Sequence, residues 1–389
     1  MEVSIGVDVG KKNLNYCVLS VDGEILDEGM VGNNLIGFEK IFELVQEFNS
    51  IAIFEATGVY SSRLQYFFDL NDQAYVRINP LQAKKEMDSL RGSKNDKIDA
   101  KKLAKLQLRR HFAPTPQEKR VYKELRRQHH FYQTITQEGA NAKNRVQRIL
   151  QETFSNLTDA IGISSDVFYQ VVLAIPHVAI IKDLDENEIQ HLLDDALKHK
   201  PTKIKLAKKL NSIKDVSTVS VDLESFAVTE LRYWAEKVIK LDEIKETLIS
   251  NMIKYEEELP EIKIIKSIPG LGDIAALGFV AEVGDIKRFP TPQKLNAYIG
   301  IDLRFNDSGQ LKTNGYISRR GSNTARKLLY MGFMHIVMAD TNNNVHIAKW
   351  YKSRTRNINT GKKKYIVGGM DRTIKLIHHL VINDEFYQN

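Results

Sequence analysis

A chain of 389 residues with a single cysteine, Cys17, can form neither an internal disulfide nor a thiolate zinc cluster. A reducing compartment, the cytoplasm, is the simplest expectation. No stretch approaches the roughly 18 apolar residues that a membrane span needs. Asp8, Lys11 and Lys12 interrupt the apolar core that a signal peptide would place near the start. Acidic charge is the lesser sign, at 49 Asp and Glu against 56 Lys and Arg, which leaves a net +7. The deficit is uneven: residues 81–150 hold eighteen basic side chains against seven acids, and residues 349–375 hold nine against one. Two basic zones in an otherwise balanced chain point to a polyanion, since counterions released from a phosphate backbone drive such binding.

Ser4 to Val9 is a short β-type run ending in an acid and then Gly10. Asn15 to Ser20 gives a second strand, Asp22-Gly23 a turn, and Glu24 to Met30 a third, which together predict an antiparallel meander. From Gly37 to Phe48 the apolar residues Phe38, Ile41, Phe42, Val45 and Phe48 fall at helical spacing. A buried strand over 51–54, a helix over 61–70 and a fifth strand over 74–78 follow. Three meandering strands and then alternating helix and strand is the ribonuclease H-like order.

That order predicts Asp8 on the first strand and Glu55 at the end of the fourth. Downstream, Lys94-Asn95-Asp96-Lys97-Ile98-Asp99-Ala100-Lys101-Lys102 sets two carboxylates three apart on a helix, where like charges repel unless a cation joins them. Lys94, Lys97, Lys101 and Lys102 can reach outward to a phosphate backbone, and taken alone the segment also suits a solvated helix face. Four carboxylates from distant elements meeting in one cleft would carry an uncompensated cost that a Mg²⁺ pair, or Mn²⁺, relieves. Such a site activates a phosphodiester for attack.

Past Pro114 and Pro116, Val121, Leu125, Tyr132, Ile135, Ala142, Val146 and Ile149 recur in steps of three and four. Trp234, Val238, Leu241, Leu248, Met252, Tyr255 and Leu259 do the same. The two seams predict long helices paired as a coiled coil, with each other or across subunits, or packed as a plain helical hairpin. Pro269-Gly270-Leu271-Gly272 before an apolar helix suits the turn of a helix-hairpin-helix module, whose backbone amides at Gly270 and Gly272 can meet a phosphate; a simple helix-helix turn has a similar pattern. Residues 300–315 read as a loop or hairpin holding Ser308. Arg319 and Arg320 precede, and Arg326 lies within, a helix that runs to Met338. By itself Ser308 suits a turn, and no histidine near it in sequence offers a base.

Taken together, these motifs resemble the insertion sequence 110 family of transposases over nearly the whole chain. A DEDD tetrad is recognised at Asp8 in Ile5-Gly6-Val7-Asp8, at Glu55 in Phe54-Glu55-Ala56-Thr57-Gly58, and at Asp96 with Asp99. The C-terminal likeness lies at Pro269 to Gly272, at Ser308-Gly309 and at Gly315 to Gly321. Where the family often has Pro-Arg this chain has Leu303-Arg304, and Asp302 replaces small residues. The resemblance implies a RuvC-like α/β domain over residues 1–115, a helical coiled-coil region over 116–262, and a mostly α transposase domain over 263–389. It also implies that Ser308 is a nucleophile forming a covalent link to DNA, with Mg²⁺ held by the four acids. Arg304, Arg319 and Arg320 would stabilise charge on the transferring phosphoryl group. The implied partners are DNA at the element ends and target, a non-coding bridge RNA, and further copies in a dimer or tetramer within a bacterial or archaeal nucleoid.

Three other readings use the same residues. A junction-resolvase nuclease would need the four acids but not Ser308, and a non-catalytic nucleic-acid-binding protein would need neither. Gly6 to Asn13 also suits the first phosphate hairpin of sugar kinases and actin-like ATPases, but the second phosphate loop and the glycine-rich adenosine site they need are missing from the sequence.

Overall fold

A computed structural model of the chain describes residues 2–87, 96–165, 167–194, 197, 200–304, 307–308, 311–312, 316–341, 345–358 and 360–388. Contacts divide it into two compact units, Met1–Gln117 and Glu118–Asn389. A mixed α/β N-terminal sheet is thus followed by a mostly helical C-terminal region.

The first unit runs β1 (Val3–Val9), β2 (Asn13–Ser20), β3 (Ile25–Gly32), α1 (Leu35–Glu47), β4 (Ala52–Glu55), α2 (Val59–Leu70), β5 (Tyr75–Ile78), α3 (Pro80–Met87) and α4 (Asp96–Arg110). The sheet order is β3-β2-β1-β4-β5. The first three strands pair antiparallel, and β4 joins β1 and then β5 in parallel. Alternation along the strands divides the side chains between two faces. Ile5, Val7, Val9, Phe54 and Tyr75 pack with Phe38, Ile41, Leu44, Leu64 and Phe68 of α1 and α2. Burial of each large aromatic there contributes about 2 kcal/mol. The opposite face, through Ile53, Val76 and Ile78, meets Leu103 and Leu106 of α4. Asn34 starts α1 by accepting a hydrogen bond from the Gly37 amide at 3.1 Å, which is the usual work of an N-cap asparagine. The outer edge of β5 is covered: Thr115 N–H donates to the Tyr75 carbonyl, and Thr115 Oγ1 accepts from Arg77 N–H.

In the second unit α5 (Arg120–Thr153) is followed by the short helices α6 (Leu157–Ala160), α7 (Phe168–Ala174), α8 (Glu186–Leu192) and α9 (Lys200–Ile213), then by α10 (Phe226–Ile253). Lys143 meets Asp242 at 3.0 Å, while Gln128 meets Tyr255 at 3.0 Å just past the end of α10, so the two long helices run antiparallel within one chain. The predicted seam of α5 is buried from Leu125 to Ile149, and His129 shares it. The short helices between α5 and α10 close one end of this pair around Phe154, Phe168 and Leu210.

The remaining elements are α11 (Pro260–Lys266), α12 (Asp273–Val283), α13 (Pro292–Ile299), the two-residue strands β6 (Leu303–Arg304), β7 (Asp307–Ser308), β8 (Leu311–Lys312) and β9 (Tyr316–Ile317), then α14 (Asn323–Ala339), α15 (His346–Thr355) and α16 (Lys363–Ile382). Their core gathers Ile265, Leu277, Val280, Leu329, Phe333 and Ile374 with Tyr122 and Leu125 of α5. Among the described residues no helix is long and apolar enough to cross a membrane.

Candidate active site

Strand register brings the first two acids together. Ile5 pairs with Ala52, Gly6 with Ile53 and Val7 with Phe54. The next step along both strands sets Asp8 beside Glu55 at their C-terminal ends, one interstrand spacing of about 4.8 Å apart. Both residues share the face that carries Gly6 and Ile53, which is the face α4 covers.

How closely α4 lies on that face is set at Gly6. A Cβ there would stand 2.0 Å from the Ala100 carbonyl oxygen and 2.5 Å from the Ala104 amide nitrogen. Only glycine admits the helix at this distance, and the small residues Ala100 and Ala104 complete the fit. Asp99, next to Ala100, therefore arrives over the strand ends that bear Asp8 and Glu55. Burial raises the Glu55 carboxyl above its ordinary pKa, and the charges of Asp8 and then Asp99 raise it further. Lys102 approaches Asp99 at 3.4 Å, so it is turned toward this cluster, while Lys101 is exposed. Asp96 opens α4, but its side chain and that of Lys97 lie outside the described residues, as does Lys94.

Among the described residues no three His, Cys, Asp or Glu side chains stand close enough to hold a metal ion. The like charges of Asp8 and Asp99 act on Glu55 in the sense that a bound cation would relieve. Carboxylate oxygens alone, with the buried thiol of Cys17 pushed up to about 11 by burial and so protonated, form a donor set suited to hard ions such as Mg²⁺ or Mn²⁺.

In the second unit the segment read as a loop or hairpin carries two small antiparallel ladders among its described residues. Leu303 pairs with Ile317 and Arg304 with Tyr316, while Asp307 pairs with Lys312 and Ser308 with Leu311. Ser308 is thus on β7; its side chain, like that of Arg304, lies outside the described residues. The base of the hairpin is tightly tied. Ser318 N–H donates to the Asp302 carbonyl at 2.9 Å, its hydroxyl donates to the Asp302 carboxylate, and Arg319 N–H donates to the Gly300 carbonyl at 3.0 Å. Asp302, where the sequence departs from the family, is therefore the hairpin's anchor. Arg319 and Arg320 are exposed. Arg326 is not offered outward in the same way: its Nη1 donates to the carbonyls of Ile299 and Gly321, a structural duty that the sequence reading did not assign. In the turn between α11 and α12, Gly270 has φ +93° and packs on the backbone of His335 and Ile336, whereas nothing lies within 4 Å of a Cβ placed on Gly272. Asp273 occupies the first turn of α12, ion-paired with Lys266.

Comparison with known proteins bears on both units. A family model for the DEDD domain of IS110, described as "Transposase", matches residues 5–155. Another, described as "Transposase IS116/IS110/IS902 family", matches residues 262–349. The chain belongs to the IS110 family of transposases. It is 30% identical over 141 residues to the "Transposase for insertion sequence element IS1111A" of Coxiella burnetii, a match covering 34% of this chain and 38% of that one. It is also 30% identical over 91 residues to the "Putative transposase y4qE" of Sinorhizobium fredii, 23% of each chain. These matches span well under half the length of either relative.

The basic zones of this IS110-family chain are partly engaged with the protein itself. In the second, Lys352 holds the Asp340 carbonyl and carboxylate, Lys375 pairs with Asp371 at 2.7 Å, and the Arg372 guanidinium lies 3.7 Å from the Trp350 ring centroid. Lys349, Arg354, Arg356, Lys362, Lys363 and Lys364 remain exposed.

Two groupings escaped the sequence reading of this family member. Asn33 is buried and donates through Nδ2 to the carbonyls of Gly10 at 2.7 Å and Tyr60 at 3.4 Å, tying the turn after Asp8 to the helix after Glu55. Glu282, also buried, sits between α5 and α14. His130 Nε2 is 2.6 Å from its Oε1, His129 Nδ1 stands off at 3.6 Å, and the Ser322 hydroxyl donates to Oε2 at 3.1 Å. Burial raises the Glu282 pKa, but the nearby His129, the hydrogen bond and charge of His130 and the hydrogen bond from Ser322 outweigh it and hold the carboxyl below its ordinary value. An acid in the otherwise apolar run 274–283 was the one available signal.

Proposed function

We propose that the chain is a DNA recombinase that cuts and rejoins strands at the ends of a mobile element through a covalent bond to Ser308. The observation that carries this reading is the placement of Asp8 beside Glu55 on the sheet face covered by α4, in a chain of the IS110 family. The sheet order and strand directions support a ribonuclease H-like, RuvC-type reading of the first unit. Asp8, Glu55, Asp96 and Asp99 would hold Mg²⁺ or Mn²⁺, which supplies charge neutralisation and Lewis acidity at a phosphodiester. The Ser308 hydroxyl attacks phosphorus: an Oγ–P bond forms, the bond from phosphorus to a deoxyribose oxygen breaks, and that oxygen takes up a proton. The ester keeps the energy of the broken linkage, so rejoining is the reverse step and needs no nucleotide.

The exposed basic residues, with Lys101, Arg304, Arg319, Arg320 and the open backbone at Gly272, would track nucleic acid phosphates. The paired helices α5 and α10 would serve as the coiled-coil arm through which copies assemble as a dimer or tetramer. A structured non-coding RNA that pairs with element and target would supply sequence choice, leaving the protein to read backbone and shape.

The test is to incubate the full chain with its element's flanking DNA and the RNA transcribed from that flank, then denature and look for protein-DNA adducts. Adducts in the parent that vanish in both Ser308→Ala and Asp8→Ala support the reading. Cleavage that persists in Ser308→Ala without an adduct replaces it with a resolvase-type nuclease, and indifference to both changes removes catalysis altogether.

A further inference from the structure

Residues 1–76 hold twelve acidic side chains and four basic ones, Lys11, Lys12, Lys40 and Arg63. Three of those four meet at one place. Lys11 and Lys12 lie in the turn between β1 and β2, and Arg63, on α2, donates from Nη2 to the Lys11 carbonyl at 3.4 Å. The turn leaves β1 directly after Val9, and α2 follows Glu55 by way of residues 56–58, so the three cations stand at the end of the sheet where Asp8 and Glu55 close their strands. All three fall outside the basic zones 81–150 and 349–375.

The fold holds the turn in place. Asn33 Nδ2 donates to the Gly10 carbonyl at 2.7 Å, Arg63 to that of Lys11, and the Asn33 N–H to that of Lys12 at 2.7 Å. With a donor already on each carbonyl from residue 10 to 12, what the turn shows to solvent is positive. Lys11, Lys12 and Arg63 are exposed, and none of them forms an ion pair with a described residue. Lys11 and Lys12 follow Asp8 by three and four residues and still pair with no acid among the described residues, so neutralising the acid cluster is not their part. Three residues of backbone span at most about 11 Å, the length of about three nucleotides along a duplex strand. A strand whose bond lay over Asp8 and Glu55 would run its neighbouring phosphates past this turn.

We propose that Lys11, Lys12 and Arg63 form a phosphate clamp for the DNA strand on one side of the bond that the acid cluster prepares for cleavage. The clamp meets phosphates that do not react, so it sets the register of the strand over Asp8 and Glu55 and exchanges no atoms with it. It rests on the reading of those acids as a phosphodiester site. Arg63 uses one N–H on the Lys11 carbonyl, and the rest of its planar fork can meet two phosphate oxygens at once, while the lysines act as point charges.

The test uses the purified full chain and a fluorescent duplex of the element's end with its flank. A triple variant, Lys11→Gln with Lys12→Gln and Arg63→Gln, is compared with the parent, with Lys40→Gln as a control for lost charge, and with Asp8→Ala. Binding is followed by anisotropy between about 50 and 200 mM salt, where each phosphate contact contributes about 0.9 to the slope of log K against log salt. The triple variant is expected to melt like the parent and to lose about 2 to 3 of that slope, whereas Lys40→Gln keeps it. In cleavage assays with the flank RNA present, the triple variant should need about tenfold more DNA for half-saturation, with a much smaller fall in maximal rate. A slope equal to that of Lys40→Gln overturns the clamp, and so does weaker binding of the flank RNA alone with DNA binding intact. Should the triple variant melt lower, Lys11→Gln with Lys12→Gln, which leaves the Arg63 bond to the turn in place, decides by a drop of about 2 or none. Asp8→Ala that still cleaves removes the phosphodiester reading itself. Cleavage lost in Asp8→Ala but unaltered in the triple variant leaves that reading standing and ends this one.

Discussion

The carbonyl oxygen of Ala100 lies where a methyl group on Gly6 would have to be, 2.0 Å from the notional carbon. This close approach, between a strand and a helix far apart in sequence, is what carries Asp99 to the strand ends holding Asp8 and Glu55. Gly6→Ala must push α4 away, because the obstacle is backbone and no rotamer relieves it. The expected loss is about 3 kcal/mol or more, read as a lower melting temperature of the N-terminal unit. Stabilisation by added Mg²⁺ should be lost with it. A variant that melts like the parent and still responds to Mg²⁺ would show that α4 does not need this seat.

Glu55 predicts a pH dependence with a definite sign. Burial and the charges of Asp8 and Asp99 raise its folded pKa above the ordinary 4.5. The folded chain therefore binds this proton more tightly than the unfolded one. Its contribution to stability is complete below the ordinary value and declines as pH rises through the raised one. Without divalent ions, the urea midpoint of the N-terminal unit should fall across that window, and Glu55→Gln should flatten the fall. Magnesium at a hundredfold excess over its Kd should add about 2.7 kcal/mol above the window, and clearly less below it, where protons compete for the carboxylates. Equal stabilisation at both ends would mean that the ion binds elsewhere.

Glu282 carries the opposite sign. Its carboxyl is held below its ordinary pKa by His129, His130 and Ser322 against the opposing effect of burial. Its contribution is present above the unfolded carboxylate value and is lost as pH falls through the lowered one. Glu282→Ala takes the acceptor from His130 Nε2, which is half-exposed and can turn to water, and from the Ser322 hydroxyl, at a cost of about 1 kcal/mol. Glu282→Gln keeps the shape and should remove the acid-sensitive part of the unfolding curve. Acid titration of both variants by far-ultraviolet circular dichroism checks this, and an unchanged acid midpoint in Glu282→Gln would exclude the assignment.

The acids of the first unit were legible because strand alternation sets the face of a side chain and the strand end sets its height, so Asp8 and Glu55 follow from pattern alone. Asp99 followed from helical spacing. The seam of α5 was legible for the same reason, but the choice of partner was not: only the Lys143–Asp242 contact shows that α10 of the same chain takes that place. His130 and Glu282 lie 152 positions apart and share no periodic signal. Arg326 looked like its neighbours Arg319 and Arg320, and nothing in its local sequence reveals that it turns inward to two carbonyls. Asn33 stands beside the capping residue Asn34, and a second asparagine at a helix start gives no hint of a bridge to Gly10 and Tyr60.

Two glycines in the second unit should respond to alanine in opposite ways, because the space around them differs. A Cβ on Gly139, within α5, meets nothing within 4 Å, so Gly139→Ala gains helix propensity and should stabilise the unit by about 1 kcal/mol. At Gly321 the same atom would stand 1.9 Å from the Tyr298 carbonyl oxygen and 2.5 Å from the Ile299 carbonyl carbon. Relief requires the 318–321 segment to leave residues 300–302, which breaks the hydrogen bonds at the hairpin base and shifts the strand that bears Ser308. A displacement of about 1 Å in a reacting group lowers rate by about a hundredfold. Gly321→Ala should therefore lose adduct formation to that extent while the helical core around Phe333 still folds, with trypsin cutting the 303–317 segment faster than in the parent. Normal adduct formation in Gly321→Ala would mean that the hairpin base does not position the serine.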